Sequence, residues 1–88
     1  MKLKYDFYFH PVGEKHVGVA MGEGAREFSG MLELDEVAYD IVSHISDGIS
    51  RDELIDAMLS IYDDDREVVA RCVDKVIAYL TAEGVLEI

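Results

Sequence analysis

Hydrophobic and other residues alternate along the first part of the chain, a pattern with period two that is typical of β-strands. The alternation covers residues 3–9, 17–21 and 28–34, and two glycine-containing turns separate the three segments. The pattern predicts a three-stranded antiparallel meander. Its last strand carries Gly30 in the middle and acidic residues on one face, as exposed edge strands often do.

From Asp35 onward the apolar residues recur every three to four positions, which predicts helices. Asp35 is placed to cap the first helix, and Ser50 and Glu53 have the spacing of a capping box at the start of the second. Three aspartates at 63–65 precede a third helix that stops at Gly84. The short apolar tail that follows is expected to pack against the sheet or the helices.

These elements predict an α+β fold of a winged helix-turn-helix-like type, in which a three-stranded antiparallel sheet is followed by three helices. A chain of 88 residues buries enough surface for one small core and no more. We therefore expect a single domain over residues 1–88, with the sheet over about 3–34 and the helices over about 35–84.

The third predicted helix has an apolar arc of about 200°, wider than the roughly 100° that one core face requires. Val68, Cys72 and Tyr79 extend one flank, and Ala70 and Ile77 extend the other. Either a small domain wraps around its last helix, or one flank faces a partner. An exposed third strand beside such a flank would offer backbone groups and a groove to an extended peptide. The alternative is that the C-terminal tail or a second copy of the chain covers this edge.

Charge narrows the choice of partner. Nineteen acidic and eight basic residues give a net charge of −11. Residues 1–34 hold five acidic and four basic residues, a net of −1, whereas residues 35–88 hold fourteen acidic and four basic residues, a net of −10. Such a surface repels phosphate backbones and anionic lipid, so it disfavours nucleic acid and membranes as partners. It suits solubility or a basic partner.

Cysteine content and the absence of long apolar runs bear on the compartment. The single cysteine, Cys72, excludes a disulfide within the chain. No segment has the pattern of a signal peptide or the length of a membrane span. These features predict a cytoplasmic protein.

No arrangement of residues typical of catalysis is found. His10 and His16 flank the first turn and could meet across the hairpin to hold a metal, but no third ligand is evident. His44 follows Ser43 in the first helix, where adjacent side chains point apart. Cys72 lies in the apolar stripe and is more typical of a core residue than of a nucleophile. We therefore predict a protein that is not an enzyme and has no metal or cofactor.

Several short motifs occur in an order that resembles the PqqD-like family. Residues 28–38 resemble its junction of a strand with Leu-Asn-Glu-x-Ala, with Asp35 in place of the usual Asn. Residues 45–54 resemble its run of a hydrophobic residue, Asp-Gly, Ser or Thr, and Glu-Leu, and residues 61–63 resemble its Tyr-Asp link. Residues 80–86 resemble its closing Leu-x-x-x-Gly-hydrophobic-Leu. The similarity covers nearly the whole chain.

The resemblance implies a recognition element for the precursors of ribosomally made and modified peptides (RiPPs), similar to coenzyme PQQ synthesis protein D. Such a peptide chaperone binds the leader of a precursor peptide and presents it to a modifying enzyme, such as a radical S-adenosylmethionine (SAM) protein. The pathway would be PQQ biosynthesis or a lasso peptide or sactipeptide pathway. In such domains the leader adds as a strand beside the third strand and packs against the third helix. Carried onto this chain, the resemblance implies peptide contacts from Arg26, Glu27, Phe28, Ser29, Gly30, Met31, Leu32, Val68, Val69, Cys72, Val73 and Val76.

The alternative interpretation is a winged-helix regulator that binds DNA or another protein. The third helix would bring Arg66, Arg71 and Lys75 to DNA, but it would also bring Glu67 and Asp74. DNA binding is therefore disfavoured on charge. An uncovered strand edge also allows the chain to pair into a homodimer.

Overall fold

The structure, a computed structural model, describes residues 1–88. The elements in chain order are β1 (Lys2–Leu3), β2 (Phe7–Val12), β3 (Lys15–Ala20), α1 (Gly24–Glu27), β4 (Met31–Leu34), α2 (Glu36–Ser43), α3 (Arg51–Leu59), α4 (Arg66–Ala82) and β5 (Leu86–Glu87). A three-stranded antiparallel sheet in the order β2-β3-β4 packs with three main helices, α2 to α4, and β1 pairs separately with β5. This confirms the predicted combination of a three-stranded antiparallel sheet with helices.

The first predicted strand, over residues 3–9, is wrong as one continuous element. Its beginning forms β1, which pairs with the C-terminal tail, and Leu3 stands opposite the buried Leu86. The main sheet starts only at Phe7. The tail therefore packs as expected, and it does so because it takes the start of the chain as its partner strand.

The third predicted strand, over residues 28–34, is wrong at its beginning. Residues 24–27 form the short helix α1, and β4 starts only at Met31. Phe28 lies outside the strand because its ring packs between two aromatic residues. Its centroid lies 6.4 Å from that of Tyr5, in a stacked pair, and 5.8 Å from that of Phe7, edge to face.

Close packing across the sheet holds β4 in register. Gly18 of β3 stands opposite both Phe9 and Leu32. A Cβ atom on Gly18 would lie 2.3 Å from Cε1 of Phe9, so only glycine lets that ring lie flat against β3. Leu32 and Leu34 then point into the core with almost no exposed surface.

The predicted caps of the first two main helices form as expected. Asp35 accepts a hydrogen bond from the amide of Ala38 at 2.8 Å, and Ser50 and Glu53 form the reciprocal capping box. Asp65 precedes α4 without a side-chain cap. The apolar stripe of α4 packs into the core that Leu32 and Leu34 of β4 also enter. This shared core fixes α4 beside β4.

Candidate functional site

The outer edge of β4 has no neighbouring strand. The amide of Glu33 donates a hydrogen bond to the hydroxyl of Tyr79 in α4, at 3.1 Å. Because the amide of Glu33 points toward α4, it does not point toward β3. Because antiparallel pairs alternate along a ladder, the backbone groups of Met31 and Glu33 face outward, and those of Leu32 and Leu34 face β3. Strand β4 therefore presents two outward-facing residues on the side of α4.

The opposite edge of the sheet, formed by β2, is less able to accept a strand. The amide of Met21 donates to the carbonyl of Asp6 at 2.8 Å. Alternation along the ladder from this pair places the backbone nitrogen of Pro11 on the outer side of β2. Because proline has no N–H, one outward-facing position of β2 cannot donate a hydrogen bond to an added strand. Of the two edges, only that of β4 combines outward N–H groups with an adjacent helix.

An open groove of about 420 Å³ lies where β4, the start of α2 and α4 meet. A smaller apolar pocket of about 90 Å³ continues it toward α3 and shares Val37 and Cys72 with it. The groove is lined by Lys15, Glu33, Leu34, Asp35, Val37, Ala38, Cys72, Lys75, Val76 and Tyr79. The pocket is lined by Val37, Ile41, Met58, Tyr62, Asp64, Val68, Val69 and Cys72.

The groove and the pocket follow the flank of α4 that carries Val68, Cys72 and Tyr79. From Val68 to Tyr79 the helix rises about 16 Å. An extended chain covers that distance with about five residues. The groove and the pocket together form one channel. One flank of the excess apolar arc of α4 is a wall of this channel, whereas Ala70 and Ile77 of the other flank do not line it.

Both signs of charge occur at the rim of the channel. Lys15 and Lys75 lie with Glu33 and Asp35 around the groove, and Asp64 lies at the pocket. The two residues that the groove and the pocket share, Val37 and Cys72, are apolar. The charged side chains around them are exposed and therefore remain hydrated.

Two of the four basic residues in the helical half are paired with acids away from the channel. Arg51 binds Asp74 through two hydrogen bonds of 2.7 and 2.9 Å, and this guanidinium lowers the pKa of Asp74. Arg66 binds Asp56 at 2.6 Å. The helical half therefore has few free cations to offer to a phosphate backbone.

The structure separates the site residues predicted on the sheet. Met31 is 61% exposed on the edge strand, whereas Leu32 is fully buried. Arg26 and Glu27 belong to α1, and Phe28 packs into the aromatic cluster. Ser29 and Gly30 are exposed ahead of β4. The strand that was predicted to include residues 28–30 therefore offers a shorter edge.

The predicted residues of α4 lie together more closely. Val68 and Cys72 are half-buried at the channel, and Val69 and Val76 line its floor although little of either is exposed. Val73 is fully buried and faces the core instead. Four of the five predicted helix residues thus line one continuous surface.

Four residues of the channel are not among the peptide contacts that the family resemblance implies: Glu33, Val37, Lys75 and Tyr79. Tyr79 lies on the same helical flank as Cys72, and Lys75 lies between them at helical spacing. That spacing was the available signal for α4. No local pattern connects Val37 with this flank, since the two meet only through packing of α2 on α4.

The two histidines of the hairpin do not meet. His10 stands opposite Val17, and His16 stands opposite Pro11. Neighbouring pairs point to opposite faces of a sheet, so the imidazoles lie on different sides. His16 instead stacks on Tyr39, with centroids 3.9 Å apart, and forms a hydrogen bond of 2.9 Å with Glu36.

Together these features define a small α+β protein with one open sheet edge beside an apolar helix flank. The chain matches the family of coenzyme PQQ synthesis protein D (PqqD) over residues 15–86. Since the match covers most of the chain, the chain belongs to the PqqD family.

One solved structure is similar over nearly its full length. It is TbiB1 in complex with the TbiA(beta) leader peptide, which shares 24% sequence identity with this chain. The similarity covers 99% of this chain and 95% of that one, with a TM-score of 0.70, and establishes a shared fold. A comparison with curated proteins gave no match. No helix of the chain has the length and apolar character needed to cross a membrane.

Proposed function

We propose that residues 1–88 form a single non-catalytic domain that binds the leader of a ribosomally made precursor peptide. The leader adds as a fourth strand at the outer edge of β4. The observation that carries this proposal is the open edge of β4 beside the apolar channel along α4. For the fold as a whole, the finer label of winged helix-turn-helix-like stays a prediction.

Strand addition uses the two kinds of surface that meet here. The outward backbone groups of Met31 and Glu33 supply hydrogen bonds to the peptide backbone, and these bonds do not depend on the peptide's sequence. Alternate side chains of an extended peptide then point toward α4, where Val37 and Cys72 line the apolar part of the channel. Backbone pairing therefore provides affinity, and the channel provides selectivity.

Two comparisons support this function. The chain belongs to the PqqD family, and its fold matches that of TbiB1, a protein solved with a leader peptide bound. Of the contacts that the family resemblance implies, we retain Met31, Val68, Val69, Cys72 and Val76. We add the backbone of Glu33 and the side chains of Val37, Lys75 and Tyr79 to the proposed surface.

The proposed contribution of this domain is effective concentration and orientation. It holds the precursor while a separate modifying enzyme, such as a radical SAM protein, acts on the rest of the peptide. We place this activity in the cytoplasm, in line with a chain whose single cysteine cannot form an internal disulfide. A homodimer paired through β4 would compete with the leader for the same edge.

Titration of the isotope-labelled chain tests this function. The probe is a synthetic peptide with the leader sequence of a candidate precursor peptide, and a scrambled version is the control. We expect amide shifts at Met31 and Glu33 and along residues 68–79, with none for the scrambled peptide. No shifts at β4 would contradict strand addition. A salt-dependent response to duplex DNA would favour the winged-helix regulator instead.

A further inference from the structure

The hydroxyl of Tyr79 is hydrogen-bonded to a backbone amide at the edge of β4 that a peptide strand would use. It accepts the amide hydrogen of Glu33 at 3.1 Å, across 46 positions of sequence. The ring of Tyr79 packs against the core cluster, so the side chain is anchored while its hydroxyl reaches the edge. The free edge is therefore partly closed by the protein itself.

A peptide strand beside β4 requires the same amide. In an antiparallel pair, an outward-facing residue exchanges both its N–H and its C=O with its partner. One amide hydrogen does not form two full-strength bonds, so the Tyr79 hydroxyl must give way to the peptide carbonyl. We propose that Tyr79 is a latch on the edge of β4, which holds the Glu33 amide in the free protein and releases it when a peptide binds. This inference rests on the proposed function.

The latch makes the edge selective. A bare edge pairs with almost any extended chain, including a second copy of the protein, whereas an occupied donor makes such pairing less favourable. A peptide that only supplies backbone groups merely exchanges one hydrogen bond for another at Glu33. A peptide that also places an apolar side chain between Val37 and Cys72 gains contacts that offset the exchange. The favoured ligand is therefore an extended peptide with an apolar side chain facing α4.

Tyr79→Phe removes the hydroxyl and keeps the ring. One hydrogen bond between neutral groups changes an equilibrium by about two- to tenfold. In the free protein, we expect hydrogen exchange of the Glu33 amide to accelerate by that factor in the variant. We expect the synthetic leader peptide to bind the variant about two- to tenfold more tightly than wild type. Tyr8→Phe, at an exposed tyrosine of β2, is the matched control and should change neither value.

The two measurements separate the latch from the proposed function. If the leader binds wild type at β4 but binds Tyr79→Phe equally or more weakly, the latch is overturned and leader binding stands. If the leader binds neither protein, leader binding fails, and the release of the Glu33 amide by a peptide fails with it. An unchanged exchange rate of Glu33 in Tyr79→Phe overturns the latch in either case, and a faster rate confined to the edge of β4 supports the bond by which Tyr79 holds this amide.

Discussion

Proline at position 33 should block peptide addition while leaving the sheet intact. The amide of Glu33 points away from β3, toward Tyr79, so Glu33→Pro removes no hydrogen bond of the β3–β4 ladder. Proline is tolerated in an edge strand when its nitrogen faces outward, and Pro11 already occupies such a position in β2. The variant therefore removes the donor that strand addition needs and little else.

The expected loss of affinity follows from the bonds involved. In wild type the peptide's bond to the Glu33 amide replaces the bond to Tyr79, so it contributes little net binding free energy. In Glu33→Pro the peptide carbonyl is left without a donor, which costs about 2 kcal/mol and corresponds to about 30-fold weaker leader binding. Folding loses the bond between Glu33 and Tyr79 and gains some strain in φ. We expect a cost of about 1 kcal/mol, which lowers the melting temperature by about 4–8 °C in a domain of this size.

Calorimetric titration with the synthetic leader peptide measures the effect. Glu33→Ala is the matched control, because it removes the same carboxylate and keeps the backbone amide. We expect Glu33→Ala to bind within a few-fold of wild type and Glu33→Pro to bind about 30-fold more weakly. Circular dichroism should show that both variants are folded. Equal affinities for the proline and alanine variants would refute backbone pairing at this residue.

Three further predictions concern the channel, the charge and one pair of side chains. Val37→Asp should weaken leader binding about tenfold, because it places a charge in the apolar channel, and the control Val12→Asp on the outer face of the sheet should not weaken it. Because residue 37 lies in the first turn of α2, where an acid is favoured, Val37→Asp should leave the thermal stability of the protein intact. Leader binding should weaken as ionic strength rises, because the −11 charge favours a leader or enzyme surface with basic residues, and binding indifferent to salt would assign the charge to solubility. The hydrogen bond that Tyr62 donates to Asp40 raises the pKa of Tyr62 to about 12, above its ordinary value of 10.0. The stability that this bond contributes is therefore complete below pH 10 and is lost as pH rises toward 12, and denaturant unfolding should show this loss in wild type but not in Tyr62→Phe.

Local signals made the helices predictable. The hydrogen bonds that cap α2 and α3 join residues within one helical turn, so they depend only on near neighbours in sequence. The capping residues are Asp35 for α2 and Ser50 with Glu53 for α3. The position of β4 depended on more distant contacts. Phe28 fits the alternating pattern of a strand, but the aromatic cluster with Tyr5 and Phe7 draws it out of the sheet.

The candidate site shows the same division between local and distant interactions. The wide apolar arc of α4 was visible in the sequence, and its flank with Val68 and Cys72 does line the channel. The burial of Leu32 and Val73 agrees with the periods of their own elements, since Leu32 alternates onto the same face as Leu34 and Val73 lies in the central apolar stripe of α4. The bond between Glu33 and Tyr79 joins a strand to the last helix, so it emerges only when both elements are in place.

The central claim is that a leader peptide becomes the fourth strand of this sheet, at β4 and against α4. Nuclear Overhauser contacts between an unlabelled leader peptide and the labelled chain test it most directly. Strand addition predicts backbone contacts from the peptide to Met31 and Glu33, together with side-chain contacts to Val37 and Cys72. Peptide contacts with the edge of β2, or with Tyr8 on the outer face of the sheet, would contradict it.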